Sequence, residues 1–477
     1  MSMRWRHTQK SLRGKRKRKS RLVARGFMDK RDRGWINTHS GTCDRGHLRI
    51  AIVFSLHRKL RAGKADVKTA FLQVDTKDPL VLKLPSHLPE KVVSKLGLTP
   101  GGFYEQNKAV YGTIDAPRLY TQAFKKRVND LGWREIAESL LVQRTRPDGP
   151  ADSVMPMHVD DLLCLTDKPL DELNKIGKAF ELDDPELLSA NTKHMYCGLE
   201  LEFSADGSQC LIGQSQYADG IKTGLTDKQR KGVITEKDLR RAVAKDVDPR
   251  LQKQQQHWMG KLGWLSLTQL HLLVPFSMQS KNNTKPSEQT VIAAQRLCEF
   301  AKATHQPLRY DNSVSDPALV FWVDAAFDLR KCQGRIGWEV QLIDKQVLVA
   351  GKLEETIKQV PRGLNVVEAK SRSIERQVAS STAVELLALR DGVKRMPLYS
   401  RVVKELWGKE PLQVYATDNQ PLVKWLNNKW IDSDPEWQGT LDYVIERVTE
   451  KSAHVIWVPT AEQRADRYTK FIRHKAA

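Results

Sequence analysis

The segment Met155-Pro-Met-His-Val-Asp-Asp-Leu-Leu-Cys-Leu165 places two adjacent aspartates, Asp160 and Asp161, between two short apolar runs. Runs of this length and composition favour β-strands. Two like carboxylates that are held close together raise each other's pKa unless a cation is present. The segment therefore has two interpretations, a polar hairpin turn of the kind that aspartate favours or a metal site.

A third aspartate, Asp66, lies upstream in Lys64-Ala-Asp-Val-Lys-Thr-Ala-Phe71. Mg²⁺ prefers one or two carboxylates together with substrate phosphates, and two such ions about 3.5–4 Å apart can hold the attacking and leaving oxygens of a phosphoryl transfer. Asp66 and Asp160 could bridge such a pair of ions, with Asp161 beside them. The alternative for Asp66 is a solvated residue between two lysines.

The region after residue 318 contains strand and helix patterns in a different order. The apolar periodicity predicts three strands and then alternating helices and strands. The strand patterns lie at 319–323, from 336 to 349, at 412–415 and at 454–458, and helices are predicted from 381, from 420 and near 462. In this order, strand ends and helix starts converge at one edge of a mixed sheet.

Four acids occupy these strand ends and helix starts. They are Asp324 at the end of a strand, Glu385 on a helix, Asp418 at the end of another strand and Asp466 at the start of the last helix. Four acids that meet in this way have no reason to do so without a cation. A pair of metal ions is the natural counter-charge, and it could activate water to hydrolyse a phosphodiester in line.

Each of these acids also has a purely structural interpretation. Thr382 to Glu385 fits a capping box, and Asp418 precedes Asn-Gln-Pro and could cap a helix. Asp324 and Asp466 could be surface acids. Taken singly, the structural interpretations are favoured, and only the four acids together indicate a metal site.

Composition restricts the class of protein. The 477 residues are 40% hydrophobic and 28% charged, which is typical of a folded globular chain and excludes a collagen-like, a wholly disordered or a disulfide-stapled one. Lys and Arg number 78 against 57 Asp and Glu, so the net charge is +21 and nucleic acid is the expected partner. The six cysteines form no C-x-x-C pair, which argues against a zinc knuckle.

The sequence also bears on location. No apolar signal-peptide core begins the chain, and the long uncharged stretch 262–280 contains polar residues such as Gln269 and His271. We interpret this stretch as a buried helix pair rather than a membrane span. The expected location is cytoplasmic or nuclear, with no membrane contact.

The chain divides into four predicted segments with an α+β fold. Residues 1–33 form a basic arm around the run 14–21, residues 34–216 mix strands and helices, residues 217–317 are mostly helical, and residues 318–477 hold the C-terminal strands and helices. We expect the arm to be mobile, because its like charges repel one another. It could be a solvated tail, a nuclear-import patch or a phosphate contact, and the first two together are favoured.

Four segments together resemble the reverse transcriptase of copia-type retrotransposons. They are Ser20-Arg-Leu-Val-Ala-Arg-Gly-Phe27, Ala65-Asp-Val-Lys-Thr-Ala-Phe-Leu72, Ala109-Val-Tyr-Gly112 with Ala116-Pro-Arg118, and His158-Val-Asp-Asp161, in the family's order and approximate spacing. The resemblance implies a right-hand polymerase, with a finger remnant in 1–33, fingers and palm in 34–216, and a thumb or connection in 217–317. His158 stands where the family usually has tyrosine, and residues 113–115 replace a more usual Leu-Lys-Gln.

The resemblance implies roles for the first group of acids. It implies that Asp66, Asp160 and Asp161 bind Mg²⁺, or Mn²⁺ in its place. It further implies that the chain extends a DNA primer on an RNA template with deoxynucleoside triphosphates. An aromatic residue five positions after the first aspartate, here Phe71, would lie beneath the incoming sugar.

The resemblance also implies substrate-binding residues outside the acids. Arg21 and Arg25 look like the finger residues that hold the triphosphate, although an ordinary amphipathic strand would carry them equally well. Gly112 and Pro117 correspond to the template-gripping segment, and a plain turn is their structural alternative.

The C-terminal acids resemble those of the ribonuclease H domain of copia-type polyproteins. The matching segments are Val323-Asp-Ala325, Ser380-Ser-Thr-Ala-Val-Glu-Leu-Leu-Ala-Leu389, Tyr415-Ala-Thr-Asp418 and Trp457-Val-Pro-Thr-Ala-Glu-Gln-Arg-Ala-Asp466. The resemblance implies a ribonuclease H-like mixed α/β domain over 318–477. In it, the four acids named above would bind metal ions and cleave the RNA of an RNA–DNA hybrid.

Three functional hypotheses follow from these patterns. The first is an RNA-directed DNA polymerase with ribonuclease H, using two-metal phosphoryl transfer in both sites. The second is a catalytically inactive nucleic-acid-binding remnant, which His158 and the expected lack of fingers before Ser20 favour. The third, a cellular ribonuclease H with an unrelated basic domain, is weakened by the palm motifs. We expect the chain to be the 3′ piece of an element, and the sequence predicts no oligomeric state.

Overall fold

The computed structural model describes the chain except for residues 13–14, 32–37, 231–233, 240–245, 329–332, 376, 379, 432–433 and 472–477. The chain forms two compact units. The first consists of Met1–Asp44, Ala62–Arg144 and Asp152–Leu187, and the second of Arg45–Arg61, Thr145–Ala151 and Leu188–Ala477. The predicted boundary at residue 33 lies outside the described residues, and the division into four segments stays a prediction.

The strands of the described residues are, in chain order, β1 (Met3–Leu12), β2 (Lys15–Ala24), β3 (Arg61–Asp66), β4 (Val81–Lys83), β5 (Phe103–Glu105), β6 (Arg134–Ala137), β7 (Leu140–Gln143), β8 (Ser153–His158), β9 (Asp161–Thr166), β10 (Glu186–Leu187), β11 (His194–Tyr196), β12 (Leu199–Phe203), β13 (Gln209–Gly213), β14 (Leu308–Asp311), β15 (Pro317–Asp328), β16 (Gln333–Asp344), β17 (Val366–Ser373), β18 (Leu412–Thr417) and β19 (His454–Trp457).

The α-helices are α1 (Arg45–His57), α2 (Glu90–Leu96), α3 (Ala116–Asn129), α4 (Pro169–Gly177), α5 (Ser215–Asp219), α6 (Asp227–Arg230), α7 (Glu236–Leu239), α8 (Pro249–Leu265), α9 (Leu273–Ser280), α10 (Glu288–Ala303), α11 (Leu353–Thr356), α12 (Ser381–Trp407), α13 (Gln420–Asn428) and α14 (Gln438–Glu450).

The main sheet of the first unit has the order β10-β3-β9-β8-β7-β6. The two apolar runs around the aspartate pair form β8 and β9, which pair as an antiparallel hairpin, so the two predicted strands are confirmed. Helix α3 buries Tyr120, Phe124 and Val128, which are four residues apart and therefore share one helix face. These side chains belong to one core with Met155 and Met157 of β8. The core fixes the hairpin that carries the aspartates.

The basic N-terminal segment is a paired ribbon rather than the expected mobile arm. Strands β1 and β2 are antiparallel, and their register runs from Met3 opposite Ala24 to Leu12 opposite Lys15. The ribbon forms because its base is apolar. Met3 and Ala24 are buried in a small core with Leu82 and Leu84, which anchors the two strand ends.

The second unit contains the sheet β11-β12-β13-β14 and a group of helices. The apolar faces of α8 and α10 share one core that includes Leu262, Leu297 and Phe300. The stretch 262–280, predicted to be a helix pair, forms the end of α8 and the whole of α9. In the part of the chain that the structure describes, no helix combines the length and the apolar character needed to cross a membrane.

The C-terminal sheet has the order β17-β16-β15-β18-β19. Strands β15, β16 and β17 are antiparallel neighbours, whereas β18 is parallel to both β15 and β19. This is the mixed sheet that the sequence predicts, with the long helix α12 packed on β15 and β16. Strand β17 and helix α14 were not predicted. The predicted closing helix is wrong, because Thr460–Glu462 and Arg464–Tyr468 form two short 3-10 turns instead.

Candidate metal centre and nucleotide site

Asp324 lies on the central strand of the C-terminal sheet. The apolar pattern predicts that Asp324 ends a strand, but β15 continues to Asp328, so Asp324 lies inside the strand. Its residue is only 5% exposed, which excludes the interpretation as a surface acid. Strand β15 pairs in parallel with β18 as far as Trp322 and Ala416. The two strands therefore carry Asp324 and Asp418 to the same edge.

Glu385 reaches the same place from α12. The helix is capped by Ser380, whose hydroxyl accepts a hydrogen bond from the backbone N–H of Ala383, so the predicted capping box at Thr382 is wrong. The backbone N–H of Ala325 donates to Oε1 of Glu385 at 3.0 Å. The other oxygen, Oε2, is buried and has no hydrogen-bond partner among the described residues.

Asp418 follows directly after β18. Its interpretation as a helix cap is wrong, because the side chain of Asn419 caps α13 and accepts from the N–H of Leu422 at 2.8 Å. One oxygen each of Asp324, Glu385 and Asp418 lie within 4.8 Å of one another. We call these three residues the carboxylate triad.

Two carboxylates of the triad, those of Asp324 and Glu385, resist ionisation. Burial raises the pKa of Asp324 from 3.8 to about 7, and the charges of Asp418 and Asp466 act in the same direction. Burial also raises the pKa of Glu385 well above its ordinary value, with further contributions from Asp324 and Asp418. A bound cation would remove this cost, because it favours the ionised form of each carboxyl group.

Asp466 lies beside the triad but is not part of it. It belongs to the 3-10 turn Arg464–Tyr468, and its carboxylate is paired with the ammonium group of Lys470. Thr469 links Asp466 to the triad, since its hydroxyl donates to Asp324 and also lies 3.0 Å from the backbone oxygen of Asp466. The structure thus brings three of the four predicted acids into one group and holds the fourth next to it through Thr469.

Two residues that the sequence analysis did not select hold the triad strands in place. The buried side-chain amide of Gln463 donates to the backbone oxygens of Val323 at 2.8 Å and Ala416 at 3.3 Å. The indole N–H of Trp457 donates to the backbone oxygen of Asp418 at 3.1 Å. No pattern in the sequence distinguishes a buried glutamine from an exposed one, so Gln463 could not have been found from spacing alone.

The triad suits a hard divalent cation. Its donors are carboxylate oxygens, which Mg²⁺ and Mn²⁺ prefer to nitrogen or sulfur donors. The buried Oε2 of Glu385 has no donor among the residues that the structure describes, which is costly unless a cation or water satisfies it. Asp324, Glu385 and Asp418 would hold the ion.

The N-terminal acids are arranged less tightly. Asp66 ends β3 and is exposed, whereas Asp160 and Asp161 are half-buried at the turn between β8 and β9. The N–H of Val67 donates to the backbone oxygen of Asp160 at 2.8 Å. The chain segments that carry Asp66 and Asp160 are therefore adjacent, as the metal-site interpretation of the sequence requires. Within the described residues, however, these three acids do not form a group with oxygens all within 4.8 Å. Asp160 lies in the two-residue turn, whereas Asp161 is the first residue of β9.

The turn that presents the aspartates is strained. Val159 has a φ of 58°, which is rare for a β-branched residue. Such a backbone conformation costs of order 1–3 kcal/mol and persists when the surrounding structure imposes it. Strain of this kind concentrates at functional sites, which is consistent with the assignment of Asp160 and Asp161 to a site.

A row of side chains lies next to the aspartates. The guanidinium of Arg21 lies 5.2 Å from the ring centroid of Tyr111, and the ring of Tyr111 lies 4.9 Å from that of Phe71. Phe71 is half-buried in a short 3-10 turn and also contacts Tyr120 at 6.0 Å between ring centroids. Tyr111 was not selected from the sequence. It stands directly before the selected Gly112, but aromatic residues in turns give no specific signal.

The remaining predicted substrate residues flank this row. Gly112 has a φ of 93°, and a Cβ there would lie 2.1 Å from the backbone oxygen of Ala24, so only glycine fits. Pro117 is in the first turn of α3, where its fixed φ suits a helix start. Arg25 follows β2 and is exposed. The structure thus brings Arg21, Gly112 and Phe71 into one neighbourhood.

Several solved structures are similar to about a third of the chain. One is ribonuclease H1 from the halophilic archaeon Halobacterium salinarum NRC-1, with 17% identity, a TM-score of 0.23, and coverage of 32% of this chain and 94% of that one. Another is LC11-RNase H1 isolated from compost, with 14% identity, a TM-score of 0.24, and coverage of 32% and 92%.

Sequence comparisons identify relatives across the chain. The retrovirus-related Pol polyprotein from transposon RE1 of Arabidopsis thaliana is 23% identical over 301 residues, which cover 60% of this chain and 19% of that protein. The corresponding polyprotein from transposon TNT 1-94 of Nicotiana tabacum is 20% identical over 476 residues, which cover 95% and 33%. The chain therefore spans a third or less of the length of these two relatives.

The N-terminal half matches a family model. Residues 1–237 match the model described as reverse transcriptase (RNA-dependent DNA polymerase). This range includes the aspartate pair, Asp66 and the row from Arg21 to Phe71. Together with the two transposon relatives, this match establishes that the chain belongs to the Pol polyproteins of copia-type retrotransposons.

Proposed function

We propose that the chain is an RNA-directed DNA polymerase that also cleaves the RNA strand of RNA–DNA hybrids. The observation that carries the proposal is the carboxylate triad, in which three acids from separate elements converge and one buried oxygen of Glu385 has no partner among the described residues. A stable fold gains nothing from three adjacent acids, two of them buried, unless a cation binds them.

For hybrid cleavage, the chain's own residues fix the ligand geometry. The N–H of Ala325 orients Glu385, and the hydroxyl of Thr469 orients Asp324. When bound, Mg²⁺ supplies a Lewis acid and lowers the pKa of a water molecule that can attack the phosphodiester. Under the two-metal hypothesis Asp466, which Thr469 links to Asp324, would contribute to a second ion.

For DNA synthesis, Asp66, Asp160 and Asp161 would hold the metal ions. Arg21 would contact the phosphates of an incoming deoxynucleoside triphosphate, since its charged group lies over Tyr111 beside the aspartates. Phe71, packed against Tyr111, would form a wall against the sugar. An RNA template and a DNA primer are the proposed partners.

A second candidate function is nucleic-acid binding without polymerisation. The observation that favours it is the arrangement of Asp66, Asp160 and Asp161, which do not form a close three-carboxylate group in the described structure. In this case hybrid cleavage would remain, because the carboxylate triad is formed, while DNA synthesis would be absent.

Two substitutions test the proposal in the full chain with Mg²⁺. Asp418→Asn should reduce cleavage of an RNA–DNA hybrid by at least roughly 100-fold and leave primer extension intact, because removal of a metal ligand acts locally. Asn419→Ala is the matched control. It removes the cap of α13 at a cost of about 1 kcal/mol and should leave cleavage in place.

Asp160→Asn should abolish primer extension on an RNA template and leave hybrid cleavage intact. Asp130→Asn, an exposed aspartate just after α3, is its control and should leave both activities unchanged. Equal loss of both activities in a folded Asp160→Asn protein would refute two independent sites. Hybrid cleavage without any primer extension by the unmodified chain would support the second candidate function.

A further inference from the structure

We propose that Arg335 binds a backbone phosphate of the RNA–DNA hybrid, in a cleft beside the carboxylate triad. This role rests on the proposed hybrid cleavage and adds to it a substrate-binding residue that none of the sequence motifs contains. It is supported by the register of the C-terminal sheet, by the hydrogen bonds of Arg335 and by the charges that line the cleft.

A cleft of about 570 Å³ lies beside the triad within the second unit. One wall is formed by the strands around Arg335 of β16, and the other by helical residues that include Leu239 and Met278. Thr469, whose hydroxyl donates to Asp324, also lines the cleft. The cleft therefore reaches a residue that contacts the triad directly.

The strand register places Arg335 on the same face of the sheet as Asp324. Asp324 lies opposite Gly337, and Ala326 lies opposite Arg335. Residues directly opposite each other in an antiparallel pair share a face, and so do residues two apart along one strand. Asp324 and Arg335 are therefore diagonal neighbours, and such neighbours are about 7–8 Å apart.

Two serines hold the guanidinium of Arg335 and leave one of its edges available. Nη1 donates to the hydroxyl of Ser277 at 2.8 Å and to that of Ser371 at 3.1 Å. The N–H groups on Nε and Nη2 donate to no other residue in the described part of the chain. These two nitrogens form one edge of a planar fork, which can bind a phosphate through two parallel hydrogen bonds.

The charge of Arg335 also lacks a close counter-charge. The side chain is half-buried, and no carboxylate of the described residues forms an ion pair with it. Burial lowers the pKa of the Arg335 guanidinium, and the charge of Glu236 acts in the opposite direction. A partly desolvated cation without a paired anion is costly, and a phosphate would supply the missing charge. Lys281, which is exposed after α9, adds a second cation to the lining of the cleft.

The acids of the cleft restrict where a phosphate can bind. Glu236 lies on the helical wall, and Asp328 lies near the end of β15, four residues beyond Asp324 on the same face. Arg335, opposite Ala326, lies between Asp328 and the triad. When the triad holds its cation, the positive charge on that side attracts a phosphate, while Asp328 repels it on the other side.

The spacing indicates which phosphate Arg335 would hold. The distance of about 7–8 Å between diagonal neighbours is similar to the separation of consecutive phosphates in one strand of nucleic acid. A scissile phosphate at the triad therefore places the next phosphate of the same strand near Arg335.

Arg335→Gln and Lys370→Gln form a matched pair in the full-length chain. Each removes one positive charge, but Lys370 is exposed and lies opposite Trp338, so it belongs to the other face of the sheet. In hybrid cleavage with Mg²⁺, Arg335→Gln should raise KM by roughly 10- to 100-fold, because it loses hydrogen bonds to a charged group, and should change kcat by less than about 3-fold. Lys370→Gln should change neither. An unchanged KM for Arg335→Gln would overturn the proposal.

A series of hybrids identifies the phosphate. Each hybrid carries one uncharged methylphosphonate at a different position of the RNA strand around a defined cleavage site. The unmodified chain should cleave the hybrid that is modified next to the scissile phosphate more weakly, and Arg335→Gln should not distinguish it from the unmodified hybrid. Two partners of one contact give non-additive losses. Additive losses at every position would mean that Arg335 contacts no phosphate of this strand, which would also overturn the proposal.

Binding in EDTA separates the phosphate site from the proposed cleavage. Each phosphate contact contributes about 0.9 to the slope of log Kobs against log salt, so Arg335→Gln should flatten the slope for a hybrid by about this amount, and Lys370→Gln should not. Equal slopes would overturn the site whether or not the chain cleaves. An unmodified chain that shows this difference but does not cleave with Mg²⁺ would refute the proposed cleavage and leave the phosphate site standing.

Arg335→Lys controls for effects on the fold. Lysine keeps the charge but lacks the planar fork, so its KM should lie between those of the unmodified chain and Arg335→Gln. The melting temperatures of both variants should match that of the unmodified chain, because Arg335 has no ion pair to lose. If Arg335→Gln does not fold, the lysine variant decides, and an unchanged KM in that variant would overturn the proposal.

Discussion

Asp324→Asn should make the protein more stable at neutral pH when divalent ions are removed. Asp324 is buried, and its pKa is raised from 3.8 to about 7, so the folded state binds a proton that the unfolded state has released. The stability linked to this proton is fully present below about pH 3.8 and is lost as the pH rises through about 7. Asparagine carries no charge and avoids that loss.

The size of the effect follows from the two pKa values. One pKa unit corresponds to about 1.4 kcal/mol, so a rise from 3.8 to about 7 corresponds to about 4 kcal/mol of the free energy of unfolding at pH 8. We therefore expect the free energy of unfolding of the variant to exceed that of the unmodified chain by about this amount at pH 8 in EDTA. The difference should shrink towards zero as the pH falls to 4.

Mg²⁺ should remove most of the difference in stability. An ion at 100 times its dissociation constant stabilises a folded protein by about 2.7 kcal/mol, which offsets more than half of the disadvantage of about 4 kcal/mol that the unmodified chain has in EDTA. The Asp324→Asn variant has lost a metal ligand, so Mg²⁺ should stabilise it little. The assay is thermal unfolding of the second unit at several pH values, with EDTA or with Mg²⁺.

Asp344→Asn is the matched control in the same sheet. Burial opposes ionisation of Asp344, but hydrogen bonds from Ser315 and from the backbone N–H of Gln346 outweigh it and lower its pKa. Its contribution is present above the ordinary pKa of aspartate and is lost as the pH falls, so this variant should be less stable at pH 8. If Asp324→Asn also destabilises the protein at pH 8 in EDTA, the triad does not resist ionisation and the argument for a cation site is refuted.

Three further substitutions test other parts of the two sites. Gln463→Ala should raise the Mg²⁺ concentration for half-maximal hybrid cleavage and lower the free energy of unfolding by about 1–3 kcal/mol, because it leaves the backbone oxygens of Val323 and Ala416 without a donor; an unchanged Mg²⁺ requirement would make Gln463 purely structural. Phe71→Val should increase incorporation of ribonucleotides relative to deoxyribonucleotides in primer extension, because it removes a bulky wall; an unchanged ratio with a lower melting temperature would mean that Phe71 serves only packing. Val159→Gly should raise the free energy of unfolding by about 1 kcal/mol by relieving the left-handed backbone, and should slow primer extension, because the turn that presents Asp160 becomes less fixed; a faster reaction would show that the strain has no role.

The C-terminal sheet was predictable to a large extent because its strands are buried. Strand β15 begins with a continuous apolar run, β18 is buried over five of its six residues, and α12 begins at the predicted residue. Strand β17 has the sequence Val366-Val-Glu-Ala-Lys-Ser-Arg-Ser373, and its position at the edge of the sheet leaves it without a clear apolar pattern. The signal for a strand is burial, and an edge strand has little of it.

The end of the chain was mispredicted because tertiary contacts override its local preference. Arg464 is buried, its guanidinium lies 4.3 Å from the ring centroid of Trp322, and it donates to the backbone oxygen of Pro361. Gln463 is held by two strands at once. These contacts orient the side chains of successive residues in directions that a regular helix does not allow. None of the contacts can be recognised from the local sequence.

The candidate sites were predictable as residue sets but not as geometries. The motif resemblance selected every member of the carboxylate triad, whereas the roles of Thr469 and Tyr111 depend on which side chains meet across the fold. For the basic segment the sequence predicted the wrong structure. Its composition predicted an arm, because repulsion between like charges is evident in the sequence while the apolar anchor of Met3 and Ala24 is not.

The hydrogen bond from Thr469 to Asp324 joins residues that are 145 positions apart in the chain. During synthesis at about 5–20 residues per second, Thr469 is added roughly 7–30 s after Asp324. Strand β15 has no parallel partner until β18 is made, and it lacks its anchor until Gln463 is added. Pairings over such separations form slowly because a long loop must close first. The triad therefore forms only after residues that are made later than those of the first unit, so a nascent chain can have folded its first unit well before it is able to bind a metal ion in the second.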